Sequence, residues 1–82
     1  MTYQIIYDKP ALKFLRKQTP EQQRRLVTAI HGLPDRGDIK PMAGHPEEYR
    51  LRVGSYRVLY TVKGDQLVIQ VLSIGNRGDV YK

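Results

Sequence analysis

The residues best suited to chemistry are arginines in "EYRLRVGSYRVLYTV", residues 48–62, where Arg50, Arg52 and Arg57 stand inside strand-forming sequence. Arg77 and Tyr81 follow in the closing "GNRGDVYK". A guanidinium offers five donors in a planar fork that matches a phosphate, and it stays protonated at any working pH. Such a set can hold a polyanion and stabilise developing negative charge. It cannot accept a proton. A phenol beside it supplies a face on which a base stacks. Four guanidiniums and one phenol therefore describe a site for phosphates and a nucleobase.

Whether these residues converge depends on strand register. Side chains alternate between the faces of a sheet, so loop length decides which residues become neighbours. Gly54-Ser55 is a two-residue loop whose leading glycine suits a type II′ turn. That pairing sets Val53 against Tyr56, Arg52 against Arg57 and Arg50 against Leu59. Tyr49, Leu51, Val53, Tyr56, Val58 and Tyr60 then share one apolar face, and all three arginines share the other. Carried through a second two-residue loop at Gly64-Asp65, the register expects Leu67, Ile69, Val71 and Ser73 on the apolar face. Val68, Gln70, Leu72 and Ile74 fall on the arginine face, with Leu72 opposite Arg57. Like charges directly opposite each other cost a few tenths of a kcal/mol, and exposed apolar surface beside them invites a covering. A bound polyanion relieves both. A turn at "GNRGD" would bring Arg77 and Tyr81 back to this patch.

The elements needed to build that sheet can be read in order. "TYQIIY" (residues 2–7) is β-branched and aromatic, as a short strand requires. "DKPALKFLRKQ" follows as a helix, with Asp8 placed to cap it and Ala11, Leu12, Phe14 and Leu15 forming its apolar stripe. "TPEQQRRLVTAIHGLP" opens a second helix with Thr19 as N-cap, Pro20 at N1 and Gln22 at the capping-box position. Leu26, Val27, Ile30 and Leu33 recur on one face, and Gly32 and Pro34 end the helix. Residues 34–47 read as a loop rich in Pro and Gly. Strands are expected at 48–53, 56–62 and 66–74. The order β-α-α-β-β-β implies an α+β domain, a helical hairpin on one face of a mainly antiparallel sheet.

Composition narrows the function further. A chain of 82 residues is read as a single domain over 1–82, with a thin core and little room for an enclosed active site. The formal charge of +6 marks a polyanionic partner, nucleic acid first and an acidic protein second. The excess is not a tail: residues 1–47 hold eight Lys/Arg against five acids, and residues 48–82 hold six against three. Absence of cysteine excludes disulfides and thiolate zinc sites. With no long apolar run, the sequence is expected to be soluble and cytoplasmic, with no membrane contact. His45, Glu47 and Glu48 fall in loop sequence at spacing that matches no acid–base motif well, and His31 suits a helix C-terminus. No metal site is expected, and no cofactor.

Taken together, "ALKFLRKQ", "MAGHPEEYRLR", "GSYRVLYTV" and "VLSIGNRGDVY" resemble the RelE/ParE superfamily of toxins from type II toxin–antitoxin systems, and its RelE-like branch more closely. The resemblance covers nearly the whole chain. It implies a ribosome-dependent, metal-free mRNA endoribonuclease (an mRNA interferase) that inhibits translation in the 70S ribosomal A site, touching mRNA and rRNA. The family's catalytic and RNA-binding positions fall on Arg50, Arg52, Arg57, Arg77 and Tyr81. Arg52 and Arg57 would clamp the scissile phosphate with Arg50 assisting, Arg77 would serve the departing 5′-oxygen, and Tyr81 would stack on or orient the base. A RelB-like antitoxin is implied, in an oligomeric complex that binds operator DNA through the antitoxin. The best-known RelE pattern has lysines where this chain has Arg50 and Arg52, so the general base is unassigned; Tyr81, a ribosomal group or water could serve. The alternatives are a ParE-like inhibitor of DNA gyrase and a weakly active or non-catalytic RNA-binding member.

Overall fold

The computed structural model describes residues 3–44 and 47–76. A first strand, β1 (Gln4–Tyr7), leads into two helices, α1 (Lys9–Arg16) and α2 (Pro20–His31). Four strands follow: β2 (Asp38–Pro41), β3 (Glu48–Val53), β4 (Tyr56–Lys63) and β5 (Val68–Asn76). They form one sheet in the order β1-β5-β4-β3-β2, in which only the β1–β5 pair is parallel. The fold is α+β, with the helical hairpin on one face of a mainly antiparallel sheet.

Helix starts follow their sequence signals, with one difference. Thr19 Oγ1 accepts a hydrogen bond from the Gln22 amide at 3.2 Å, closing the N-terminus of α2. Asp8 stands at the N-cap of α1 with extended backbone, but its side chain does not cap that helix. Its carboxylate instead accepts from Gln70 Nε2 at 2.9 Å, tying the end of β1 to β5. A cross-strand donor has outcompeted the local amide.

The helices bury Ala11, Leu15, Leu26 and Ile30, and the turn after α2 buries Leu33, against Leu51, Val53, Val58, Tyr60, Ile69, Val71 and Ile74. Leu26, Ile30, Val58, Ile69 and Val71 are fully inaccessible. Burying an aliphatic side chain of this size contributes about 1.5–3 kcal/mol, so this layer fixes which face of the sheet points inward. Polar contacts refine the docking of the helices: Phe14 meets Tyr56 edge to face at 5.9 Å, and the Tyr56 hydroxyl donates to Gln18 Oε1 at 3.1 Å.

The β3–β4 hairpin has the expected register: Val53 pairs with Tyr56, Arg52 with Arg57 and Arg50 with Leu59. Gly54 takes φ +59, and Ser55 is not in the positive-φ region, as a type II′ turn requires.

The β4–β5 pairing corrects the sequence reading. The loop is four residues, Gly64–Leu67, closed on Lys63↔Val68 and with Leu67 in the left-handed region at φ 54. A bulge then leaves Leu72 as the extra residue between Tyr60↔Val71 and Leu59↔Ser73. The extra residue reverses the alternation beyond it. Ser73 therefore joins the arginine face and Ile74 the core, the reverse of the expectation, and Gly75 rather than Leu72 stands opposite Arg57.

The segment expected to be a featureless loop contains β2. Its residues pair antiparallel with β3 as Asp38↔Arg52, Ile39↔Leu51, Lys40↔Arg50 and Pro41↔Tyr49. Gly37 makes this possible. Its φ of +119 lies where only glycine is comfortable, and a Cβ there would stand 2.5 Å from Leu51 Cδ1. Pro41 is tolerated because β2 is an edge strand.

Candidate functional site

The sheet face away from the helices carries the arginines in registered rows. One row runs Asp38–Arg52–Arg57–Gly75 across β2, β3, β4 and β5. The next runs Lys40–Arg50–Leu59–Ser73, and a third runs Glu48–Thr61–Gln70–Ile6 through β3, β4, β5 and β1. Strands lie about 4.8 Å apart and successive rows on one face about 7 Å apart. Arg50, Arg52 and Arg57 are therefore brought together within reach of one ligand.

Their surroundings set their orientation. Arg57 is only 9% exposed although charged. Gly75, its neighbour on β5, presents no side chain to compete for the same space. Arg52 is half-buried, and its Nε is inaccessible and lacks a hydrogen-bond partner among the described residues. Lys40 extends the cationic surface on the edge strand, while Asp38 and Glu48 bring negative charge to the same face. The face is thus mixed in charge rather than uniformly cationic. Asp38 and Lys40 escaped the sequence reading because β2 was not recognised; the Gly37 breaker followed by "DIKP" is the signal that could have revealed it.

Arg77 and Tyr81 lie outside the described residues, as does His45. Glu48, read from sequence as a solvated loop residue, is half-buried in the first position of β3. Glu47 is exposed in the preceding turn.

Concave surface formed by the described residues is also found away from the arginine face. A groove of about 530 Å³ is lined by Tyr3, Ile5, Tyr7, His31 and Arg36, among others. A smaller one of about 200 Å³ is formed by Pro34, Ile39, Tyr49, Tyr60 and Val62. Tyr49 and Tyr60 stack here with ring centroids 5.7 Å apart. Burial, with the neighbouring Tyr49 adding to it, pushes the Tyr60 phenol up to about 12, and burial also raises that of Tyr7. These phenols are suited to packing rather than to proton transfer.

An open sheet face with a row of guanidiniums can take a phosphodiester chain laid across the strands. It provides cation pairs for the phosphate, and on Asp38 and Glu48 it provides carboxylates that arginine chemistry lacks. The chain as a whole resembles known proteins. The family model for the ParE toxin of the type II toxin–antitoxin system parDE matches residues 5–81. RelE1 of Methanocaldococcus jannaschii is 31% identical over 88 aligned positions, covering 100% of this chain and 98% of that protein. The mRNA interferase toxin RelE of Escherichia coli K12 is also 31% identical, over 99% of this chain and 92% of its own length. Among solved structures, the archaeal RelE in its complex with RelB from Pyrococcus horikoshii superposes with a TM-score of 0.79 at 28% identity, over 96% of this chain and 99% of that one. On sequence and fold together, the chain belongs to the RelE/ParE toxin superfamily, in its RelE-like branch.

Proposed function

We propose that this protein is the toxin of a type II toxin–antitoxin pair and acts as a ribosome-dependent endoribonuclease on mRNA. The observation that carries this reading is the registered row of Arg52 and Arg57, flanked by Arg50, on a sheet face that the helices leave open. A relative named mRNA interferase toxin supports the same reading. Solved relatives titled as RelE–RelB complexes support a RelB-like antitoxin as partner.

The chemistry follows from the side chains. Attack of a ribose 2′-hydroxyl on the adjacent phosphorus gives a 2′,3′-cyclic phosphate and a 5′-hydroxyl end. Negative charge builds on the non-bridging oxygens as the O2′–P bond forms. Cations fixed where that charge develops favour the transition state over the bound substrate. Arg52 and Arg57 fill this role, and Arg50 holds the neighbouring phosphate. Arg77 attends the departing 5′-oxygen, and Tyr81 stacks on the adjacent base. An open surface of this kind suits a single strand presented by a larger body, and the A site of the 70S ribosome presents mRNA in that way. Contact with rRNA completes the site.

A gyrase-directed toxin remains the contrasting reading, because the matching family model is described for parDE. The arginine row favours RNA. Induction of the protein in cells, with mapping of mRNA 5′ ends alongside DNA supercoiling, decides between them. Codon-phased 5′-hydroxyl ends in translated messages, absent with Arg57→Ala, are the expected result. Intact messages together with a DNA-damage response would overturn it.

A further inference from the structure

We propose that Asp38 is the catalytic base that accepts the 2′-hydroxyl proton, an assignment that rests on the endoribonuclease reading above. Arginine has no acceptor lone pair, so the acceptor must come from elsewhere on the surface. Among the described residues, this face carries the carboxylates of Asp38 on β2 and Glu48 on β3, the ammonium of Lys40 on β2, and the Asp8 carboxylate just past β1, which is bonded to Gln70 in the third row.

Distance separates them. The attacking oxygen must approach to about 3–3.5 Å of phosphorus, and its base must lie within about 2.6–3.2 Å of that oxygen. The base therefore works within roughly 7 Å of the phosphorus held by Arg52 and Arg57. Asp38 shares their row, directly opposite Arg52. Lys40 is one row removed, and an ammonium is a donor only. Glu48 is two rows removed, about 14 Å along the strand.

The backbone holds Asp38 in that place. Gly37 immediately before it is pressed against Leu51, and its φ of +119 sets the path by which β2 enters the sheet. Ile39 on the next residue packs against the core, so alternation directs Asp38 to the arginine side. Among the described residues, the charged groups nearest to it in the register are cationic: Arg52 opposite and Arg50 diagonal to it on β3, Lys40 on its own strand, and Arg57 beyond Arg52. β2 is an edge strand and pairs with β3 alone.

In the step itself, an Asp38 oxygen takes the proton as the 2′-oxygen forms its bond to phosphorus. The bond from phosphorus to the 5′-oxygen breaks, and that oxygen leaves as a hydroxyl after taking one proton from water. Asp38 then returns its proton to solvent. One proton is taken and one is given, so no other reactant is needed.

Single-turnover cleavage of ribosome-bound mRNA by the purified full chain tests the assignment. Asp38→Asn should lower the rate by about 10²–10⁴-fold, with the melting temperature and binding of a labelled RNA fragment retained. Asp38→Glu should recover much of the rate lost in Asp38→Asn, and Glu48→Gln should lower it far less than Asp38→Asn does. A wild-type rate in Asp38→Asn, or an equal loss in Glu48→Gln, would overturn the proposal and leave the endoribonuclease reading standing. No cleavage by the wild type on ribosomes would sink that reading, and the base assignment with it.

Discussion

Arg52 and Arg57 are direct cross-strand partners in the β3–β4 ladder, with Asp38 on the far side of Arg52 and Gly75 on the far side of Arg57. Two guanidiniums in one row repel in the free protein, and the carboxylate at the end of the row offsets part of that repulsion. A phosphate between them would remove the rest. The site therefore carries a small instability that binding relieves.

Replacing one partner exposes this trade. Arg52→Thr puts a residue of high β-propensity in the strand and removes the like-charge pair, so urea denaturation should show stability unchanged or raised by about 0.5 kcal/mol. Cleavage by the same variant should fall by about 10²–10³-fold, as for loss of one group that stabilises transition-state charge. A variant that loses stability while keeping its activity would show Arg52 to be a structural residue.

Salt dependence counts the phosphate contacts. On a single strand, each contact contributes about 0.7 to the slope of log affinity against log salt. Arg50→Ala and Arg52→Ala should each lower that slope by about this amount in anisotropy titrations with single-stranded RNA. An unchanged slope in both would place the phosphate chain elsewhere.

The β5 bulge makes a further distinction. Ile74 is 6% exposed in the core, whereas Ser73 lies on the arginine face opposite Leu59. Ile74→Ala should cost about 2–4 kcal/mol in chemical denaturation, and Ser73→Ala less than about 0.5 kcal/mol. The uninterrupted register expected from sequence requires the opposite ranking, so equal or inverted costs would remove the bulge from the account.

These positions also show what sequence can and cannot reveal. The Gly54-Ser55 turn is only two residues long, so it leaves a single register, and the Arg52–Arg57 pairing could be derived by counting. Thr19 and Pro20 mark a helix start by local chemistry, and the apolar spacing of Leu26, Ile30 and Leu33 marks its buried face. By contrast, Leu72 is bulged because Ile74 gains more from the core than Ser73 would, a tertiary competition that local alternation does not encode. β2 was hidden for a related reason. Its four residues "DIKP" include a single core contact, Ile39, and a proline, so they have neither a strand's composition nor its length. What makes them a strand is the free edge of β3. The acidic end of the arginine row was therefore invisible until the sheet was assembled, although the cations at its centre were not.

Tyr60 links the core to pH. Its phenol is 1% exposed, and burial beside Tyr49 raises it from the usual 10.0 to about 12 in the folded chain. Folding therefore favours the protonated phenol. This contribution to stability is complete below about pH 10, where the unfolded phenol also stays neutral. As pH rises above 10 the unfolded state loses its proton first, and stability falls until the folded phenol ionises near pH 12. Denaturant midpoints should accordingly drop between pH 10 and 12 while staying level from pH 8 to 9.5. In Tyr60→Phe the drop should be smaller, with the remainder from Tyr7, whose phenol burial also raises. Ultraviolet absorbance of the phenolate should lag behind that of a free tyrosine in the wild type. Identical alkaline profiles for the wild type and Tyr60→Phe would remove Tyr60 from the pH dependence and assign it to other groups.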